Sequence, residues 1–330
     1  MKHAMNSMTI PSISVLMSVY REQMEWLELS VNSILKQTFR DFEFIIVVDD
    51  PQNTEAINYI KQKAEEDDRI QYLINEENLG LTKSLNKGLR VARGKYIARM
   101  DADDNSYPNR FEKQYAFMES HPEVVLCGTS IHYVGGKGNR CQIYPSTNEE
   151  IKAEMLFNSG FSHPTIMIRR QTLIDHGISY DENYRQTQDY RLYETLHDLG
   201  EFANLTDVLL DYRISEKQIS TRLHHRQGNL MQMIRRRMIN KWLKRIGYKE
   251  IDFNNEINRI DLRKDILKLT GNKKDIYFNT FMKTMYYTNT SNKIALFIKS
   301  ILNGDFFQMS HKDKKSYVGI VIGQVSPILL

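Results

Sequence analysis

Three carboxylates crowd one short stretch, Asp101-Ala102-Asp103-Asp104. Carboxylates this close repel one another, which costs stability unless a counter-charge offsets it. A divalent cation is the usual counter-charge. Mg2+ and Mn2+ prefer oxygen ligands and often take one or two carboxylates plus substrate phosphates. The plain alternative is a solvated acidic turn before a helix opening near Pro108. A second acidic pair, Asp49-Asp50, could accept hydrogen bonds from a nucleobase or ribose, or could cap a helix beginning near Pro51. Asp189, within Thr187-Gln-Asp-Tyr-Arg-Leu192, falls in the first turn of an expected helix, where the helix dipole favours negative charge. Its chemical reading is a general base, which must be ionised and within hydrogen-bond reach of a hydroxyl. His163 has no second His or Cys at metal spacing around it. His224, His225 and Arg226 could reach a phosphate or metal, or form a solvated polar turn.

The elements that must position these groups follow from hydropathy. Ile13 to Val19 and Phe42 to Val48 read as buried strands, the second stopping at Asp49 and Asp50. Met24, Leu27, Val31, Ile34 and Leu35 recur at helical spacing between them. A polar helix over 54–66, a strand from Ile70 to Ile74 and a helix marked by Leu81, Leu85, Leu89 and Ala92 come next, with Gly94 suited to a C-terminal cap. Tyr96 to Met100 is the next strand and runs into Asp101. Such alternation implies an α/β fold, a mostly parallel sheet with helices on both faces. Ligands of such sheets bind beyond the carboxyl ends of the strands. Here two strands each end in acid.

The middle third reads as short strands (124–127, 131–134, 165–168) among turns, with capping-box spacing at Thr147 and Glu150. Thr187 could cap a helix carrying Leu192, Leu196 and Leu199, closed by Gly200, before a last strand from Val208 to Arg213. Arg222 to Lys249 contains no Asp or Glu, and Leu230, Met233, Ile234, Met238 and Trp242 fit a helical stripe there. The stretch from Ser316 to Leu330 carries no charge.

At 330 residues, 41% hydrophobic and 26% charged, the chain is an ordinary globular protein with length for about two domains. A net charge of +4 does not argue for nucleic acid, and the basic stretch matches no nucleic-acid module. Two cysteines, Cys127 and Cys141, are too few for a disulfide framework and suit a reducing compartment. No apolar run reaches the ~18 residues of a membrane helix, and no signal peptide is expected. Walker A, dinucleotide-fingerprint and G-x-S-x-G motifs are absent.

In this order the pieces resemble the family 2 glycosyltransferases, with the GT-A fold. Ser14-Val-Leu-Met-Ser-Val-Tyr20 looks like that family's first strand, and Ser33-Ile-Leu-Lys-Gln-Thr-Phe39 with Asp41 to Asp50 is similar to its next helix and strand. Asn78-Leu-Gly80, Leu85-Asn86, Gly94-Lys-Tyr-Ile97, Arg99 to Asp104, Pro108-Asn-Arg110, His163-Pro164, Gln188 to Leu192 and Tyr212-Arg213 continue it. The resemblance covers about residues 11–220. It implies an inverting transfer of a sugar from a nucleotide diphosphate donor, expected to be a UDP-sugar, to a hydroxyl acceptor. By resemblance, Val19, Tyr20 and Asp50 hold the base. Asp101 lies near the ribose or the metal, Asp103 binds Mn2+ or Mg2+, and Asp189 deprotonates the acceptor. The chain departs from the family's pattern at Arg21, where Asn is common, at Asp49-Asp-Pro-Gln-Asn-Thr54, and at Gln188, where Glu usually precedes the base.

The expectation is therefore a cytoplasmic, metal-dependent glycosyltransferase of surface polysaccharide synthesis acting on a glycan or lipid-linked acceptor. A GT-A catalytic domain would span 1–220, with a donor half of about 11–104 and an acceptor half of about 105–220. A helical extension over 221–330 would touch the inner face of a membrane through 222–249 and 316–330, dimerise, or pack on the domain. Two rivals stand beside it. A nucleotidyltransferase would need a basic triphosphate loop after the first strand, where only Arg21 lies. A non-catalytic nucleotide-sugar-binding protein would not need both Asp103 and Asp189.

Overall fold

The computed structural model describes residues 10–136, 139–214 and 224–253, with Asp265 and Tyr277. The expected uncharged tail 316–330, most of the helical extension and the side chains of Arg222, His224, His225 and Arg226 lie outside the described residues.

The first hundred residues follow the pattern read from hydropathy. The order is β1 (Ile13–Val19), α1 (Met24–Leu35), β2 (Phe42–Val48), α2 (Thr54–Glu66), β3 (Ile70–Ile74), α3 (Leu81–Val91) and β4 (Tyr96–Asp101). β3, β2, β1 and β4 lie side by side in that order, all parallel. Every residue of β2 is buried, as expected of a central parallel strand covered on both faces. Val15, Met17, Phe44, Ile46 and Ala98 of the strands share one core with Leu27, Val31 and Ile34 of α1 and Ile60 of α2.

Two glycines set close approaches. A Cβ at Gly88 would collide with Leu16 Cδ1, so this glycine lets α3 lie against β1. Gly94 is not the cap of α3, which ends at Val91 with Ala92 as its C-cap. A Cβ at Gly94 would collide with the backbone of Ser14, and its N–H donates to Ser14 Oγ at 2.7 Å. The glycine is needed where the chain passes β1, not where the helix stops.

The chain continues through β5 (Asn105–Ser106), α4 (Arg110–Ser120), β6 (Val124–Val134), β7 (Arg140–Gln142), α5 (Asn148–Glu154), a 3-10 turn at His163–Thr165, β8 (Met167–Arg169) and α6 (Arg170–Asp175). A second 3-10 turn at Glu182–Tyr184, α7 (Gln188–Leu196) and β9 (Glu201–Arg213) follow. The full sheet order is β3-β2-β1-β4-β8-β6-β9-β5, with β7 on β6. The two short strands expected at 124–127 and 131–134 are one strand. Thr129 and Ser130 between them are buried and stay paired with β9 across register shifts. These shifts also explain why β9 begins at Glu201, earlier than its apolar end at Val208 suggests. The expected strand at 165–168 starts late because Pro164 opens a 3-10 turn.

Contacts divide the chain into two units, 1–152 with 159–234, and 153–158 with 235–330. All elements of the sheet lie in the first. A further helix, α8 (His224–Arg245), runs through the basic stretch. In the second unit its Met238, Ile239, Trp242 and Leu243 are buried, and Trp242 stacks on Tyr277 with centroids 6.1 Å apart. Met233, expected on the apolar stripe, is exposed instead. Among the described residues no helix is long and apolar enough to cross a membrane.

Candidate active site at the carboxyl ends of the strands

β4 carries the acidic stretch to the carboxyl edge of the sheet, where Asp101 is in register with Ser18 of β1. Under it lies a charge inside a buried strand. Arg99 is 2% exposed and forms an ion pair with Asp101. Ser30 of α1 donates to the Asp101 carbonyl at 2.7 Å. The loop is held from the other side by the last residue of β9. The Arg213 N–H donates to Asp104 Oδ1 (2.8 Å), its Nε donates to the Asp103 carbonyl (2.8 Å), and its guanidinium sits 4.9 Å from the ring centroid of Trp26.

The result is a tight carboxylate cluster. One oxygen each from Asp101, Asp103 and Asp104 lie within 4.8 Å of one another. Burial, then the charges of Asp101 and Glu22, push the Asp103 carboxyl up to about 7. Burial with Asp101 and Asp103 raises Asp104 well above the ordinary carboxylate range. Glu22 is raised by burial too, and its Oε2 accepts the Tyr20 N–H at 2.8 Å. Asp104 is 1% exposed, and its Oδ2 has no hydrogen-bond partner among the described residues. An orphaned buried carboxylate oxygen beside two more carboxylates is a donor set that fits a divalent cation with oxygen preference.

The neighbouring strand ends are built differently. Asp49 accepts from Asn75 Nδ2 (2.7 Å) and from the N–H groups of Leu79 and Gly80 (2.9 Å each). It ties β2 to the start of α3 and caps nothing; the N-cap of α2 is Asn53, whose side chain accepts from Ala56 N–H. Asp50 accepts from Arg21 Nε (2.6 Å) and from the Gln52 N–H (3.0 Å), and the Arg21 bond holds its carboxyl below the usual range. Arg21, the departure from the common Asn, thus becomes the partner of Asp50. Its guanidinium lies 5.2 Å from the ring centroid of the part-exposed Tyr20. Val19 is buried, and its carbonyl accepts the Asp49 N–H at 2.7 Å. Asn53 Nδ2 donates to the Tyr20 carbonyl at 2.9 Å, so the altered loop 49–54 still fastens β1 to β2. Val19, Tyr20, Asp50 and Asp101 therefore end three adjacent strands.

Asp189 arrives from α7. It is partly exposed and in the first turn. Burial raises its carboxyl, while the charge of Arg99 opposes the rise and that of Asp101 adds to it. Arg99 and Asp101 are thus near enough to contribute to its titration, which brings a far segment of the sequence towards the β4 end. Thr187 holds the N-cap position without capping; its Oγ1 has no partner among the described residues. His163 Nε2 contacts the Tyr180 hydroxyl at 2.9 Å, and burial with nearby Arg99 pushes the imidazole well below its ordinary value. It is a neutral wall residue.

Sequence reading missed Arg99, Glu22 and Tyr180 as parts of this centre. The signal for Arg99 was present: a cation in the apolar run Tyr96-Ile-Ala-Arg-Met100, where only a paired charge can be buried.

The sequence pattern described as Glycosyl transferase family 2 matches residues 14–178. An uncharacterised glycosyltransferase of Methanocaldococcus jannaschii is 36% identical over 211 residues, covering 63% of this chain and 72% of that one. The amylovoran biosynthesis glycosyltransferase AmsE of Erwinia amylovora is 35% identical, covering 63% and 79%. The O-antigen biosynthesis glycosyltransferase WbnJ of Escherichia coli is 33% identical, covering 62% and 80%. Among solved structures, S. aureus TarS in complex with UDP aligns with a TM-score of 0.57 at 17% identity, over 93% of this chain and 91% of that one. TarS in complex with UDP-GlcNAc aligns at 0.59 and 16%, over 82% and 91%. These likenesses show a shared fold.

Proposed function

The chain belongs to glycosyl transferase family 2 and is a glycosyltransferase of GT-A fold; from this premise we propose that it transfers a sugar, with inversion, from a UDP-sugar to a hydroxyl of a glycan or lipid-linked acceptor in surface polysaccharide synthesis. One observation carries the reading: the carboxylates of Asp101, Asp103 and Asp104 lie within 4.8 Å of one another beside the buried Arg99, whose charge also reaches Asp189. The names of the AmsE and WbnJ relatives and the UDP bound in the TarS structure support the substrate class.

Val19, Tyr20 and Asp50 face the base of the donor, with Asp50 the acceptor for a base N–H and Arg21 its neighbour donor. Asp101 and Asp103, with Asp104, would hold Mn2+ or Mg2+; such an ion, when bound, stabilises negative charge on a leaving diphosphate. The buried Arg99 forms an ion pair with Asp101 and anchors its carboxylate at the end of β4. Asp189 removes the proton from the acceptor hydroxyl. Burial makes its carboxylate more basic than a free one, and the charge of Arg99 opposes that rise. The base comes from α7 and the acidic cluster from β4, the separation of sources that displacement with inversion needs.

The domain reading stays a catalytic domain over 1–220 and an extension over 221–330. We place the enzyme in the cytoplasm at the membrane face, where a lipid-linked acceptor would be met. α8 has no acidic residue, and Lys241, Lys244 and Arg245 are exposed. Sedimentation with phosphatidylserine vesicles should fall for Lys241→Glu/Lys244→Glu; equal sedimentation would remove the membrane role.

The test of the reaction is release of nucleoside diphosphate from a panel of nucleotide sugars with Mn2+, with and without chelator. Turnover of a UDP-sugar that the chelator abolishes is expected. Nucleotidyl transfer would instead release pyrophosphate from a nucleoside triphosphate.

A further inference from the structure

The start of α7 gathers buried polar atoms that the protein leaves unsatisfied. Thr187 Oγ1, Gln188 Oε1 and Tyr193 Oη are buried without hydrogen-bond partners among the described residues. Buried polar groups are nearly always paired, so such an atom calls for an explanation, and a ligand is one.

Tyr193 is the most informative of the three. Its side chain is fully buried. It follows Asp189 by four residues, so the two share a face of α7. Asp189, Tyr180, Arg99 and Tyr144 are the charged and phenolic groups around its hydroxyl. Its ring packs edge-on against Phe161, centroids 5.0 Å apart, which fixes the phenol in place. Tyr180, in the same neighbourhood, is the contrast, because its hydroxyl is engaged by His163. Asp189, one turn earlier on the same face of the helix, is partly exposed.

We propose that Tyr193 Oη hydrogen-bonds a sugar hydroxyl in the reacting complex, which makes Tyr193 a substrate-contacting residue beside Asp189. This rests on the reading of Asp189 as the base. A phenol both donates and accepts, as does a sugar hydroxyl. Burial and the nearby Asp189 keep the phenol protonated, so it orients a hydroxyl without competing for the proton. The hydroxyl could belong to the donor's sugar or to the acceptor, and kinetics separate the two.

The experiment is Tyr193→Phe in the full chain, read by thermal midpoint and by steady-state kinetics with the donor that the wild type turns over. Removing a hydroxyl with no protein partner should leave the midpoint equal or higher, whereas Tyr180→Phe, which breaks the His163 bond, should lower it. kcat/KM should fall roughly 3- to 20-fold, the worth of one hydrogen bond in the reacting complex. A raised KM for the nucleotide sugar, seen also in donor hydrolysis without acceptor, assigns the contact to the donor; a raised acceptor KM alone assigns it to the acceptor. A lower midpoint with unchanged kcat/KM means that the hydroxyl is structural and overturns the proposal, as does no change in either. Asp189→Asn keeps the two claims apart. Full turnover in Asp189→Asn with loss in Tyr193→Phe removes the base assignment and leaves this contact standing; the reverse removes this contact alone.

Discussion

Two acidic strand ends lie next to each other across β1, and they are built on opposite principles. At the end of β2 each carboxylate has partners: Asp49 takes three donors and Asp50 takes Arg21 and a backbone N–H. At the end of β4 three carboxylates crowd together, Asp103 and Asp104 titrate high, and Asp104 Oδ2 is orphaned. Acid that the protein satisfies holds the fold. Acid that it leaves unsatisfied is where the proposed cation would be held. The difference lies in the loops that follow. After β2 the chain turns back, so that Asn75, Leu79 and Gly80 reach Asp49. After β4 it presents three acids to one side, and Arg213 engages the Asp104 carboxylate through its N–H and the Asp103 carbonyl through Nε, leaving Oδ2 open.

Substitution should therefore act on activity at one end and on stability at the other. The largest effect is expected at Asp103→Ala, which should lower kcat by ~10³-fold or more through lost charge stabilisation at the leaving group. It should leave the thermal midpoint of the cation-free protein unchanged or raised, because a repelling charge is gone. A midpoint several degrees lower would erase the distinction between the two ends. Asp49→Ala should do the converse. Stranding Asn75 and two backbone N–H groups should cost about 3 kcal/mol in urea unfolding.

The pH dependence sharpens the contrast. A carboxyl at about 7 in the fold and 3.8 in the unfolded chain binds its proton more tightly when folded. Between those values the folded state holds the extra proton, so stability of the cation-free protein should fall as pH rises from about 4 to about 7 and level off above. Asp50 has the opposite sign: its lowered value adds stability that is present above the unfolded value and lost as acid protonates it. Thermal midpoints from pH 4 to 8, with and without Mn2+, test this. The ion should restore more stability at pH 8 than at pH 5. The smallest effect is expected at Arg21→Asn, whose guanidinium is mostly exposed although Asp50 is buried, so that its loss should lower stability only slightly. It should shift the donor KM about two- to tenfold, the scale of one hydrogen bond.

Much of this was legible in the residues. β1 and β2 run as the hydropathy dictates, because central parallel strands are continuous apolar runs with little room for ambiguity. The acidic stretch and Asp189 were visible as residue types, and their convergence came only through family resemblance. The division of labour between Asp49 and Asp50 was not legible, since it depends on where Asn75 and Gly80 return in space. The length of β9 was hidden by Asn204, whose amide donates to the Pro145 and Gly160 carbonyls, and by Thr206 and Asp207, which fall in a register shift against β6. Tyr193 carried no signal, because an unpartnered hydroxyl has no mark in the sequence.

The most direct test measures nucleoside diphosphate release from a UDP-sugar by the wild type, Asp103→Ala and Asp189→Asn, each with Mn2+ and with chelator. The account predicts turnover by the wild type with Mn2+ alone, and loss of ~10²-fold or more in both variants. Turnover by either variant equal to that of the wild type, or wild-type turnover indifferent to chelator, would contradict it.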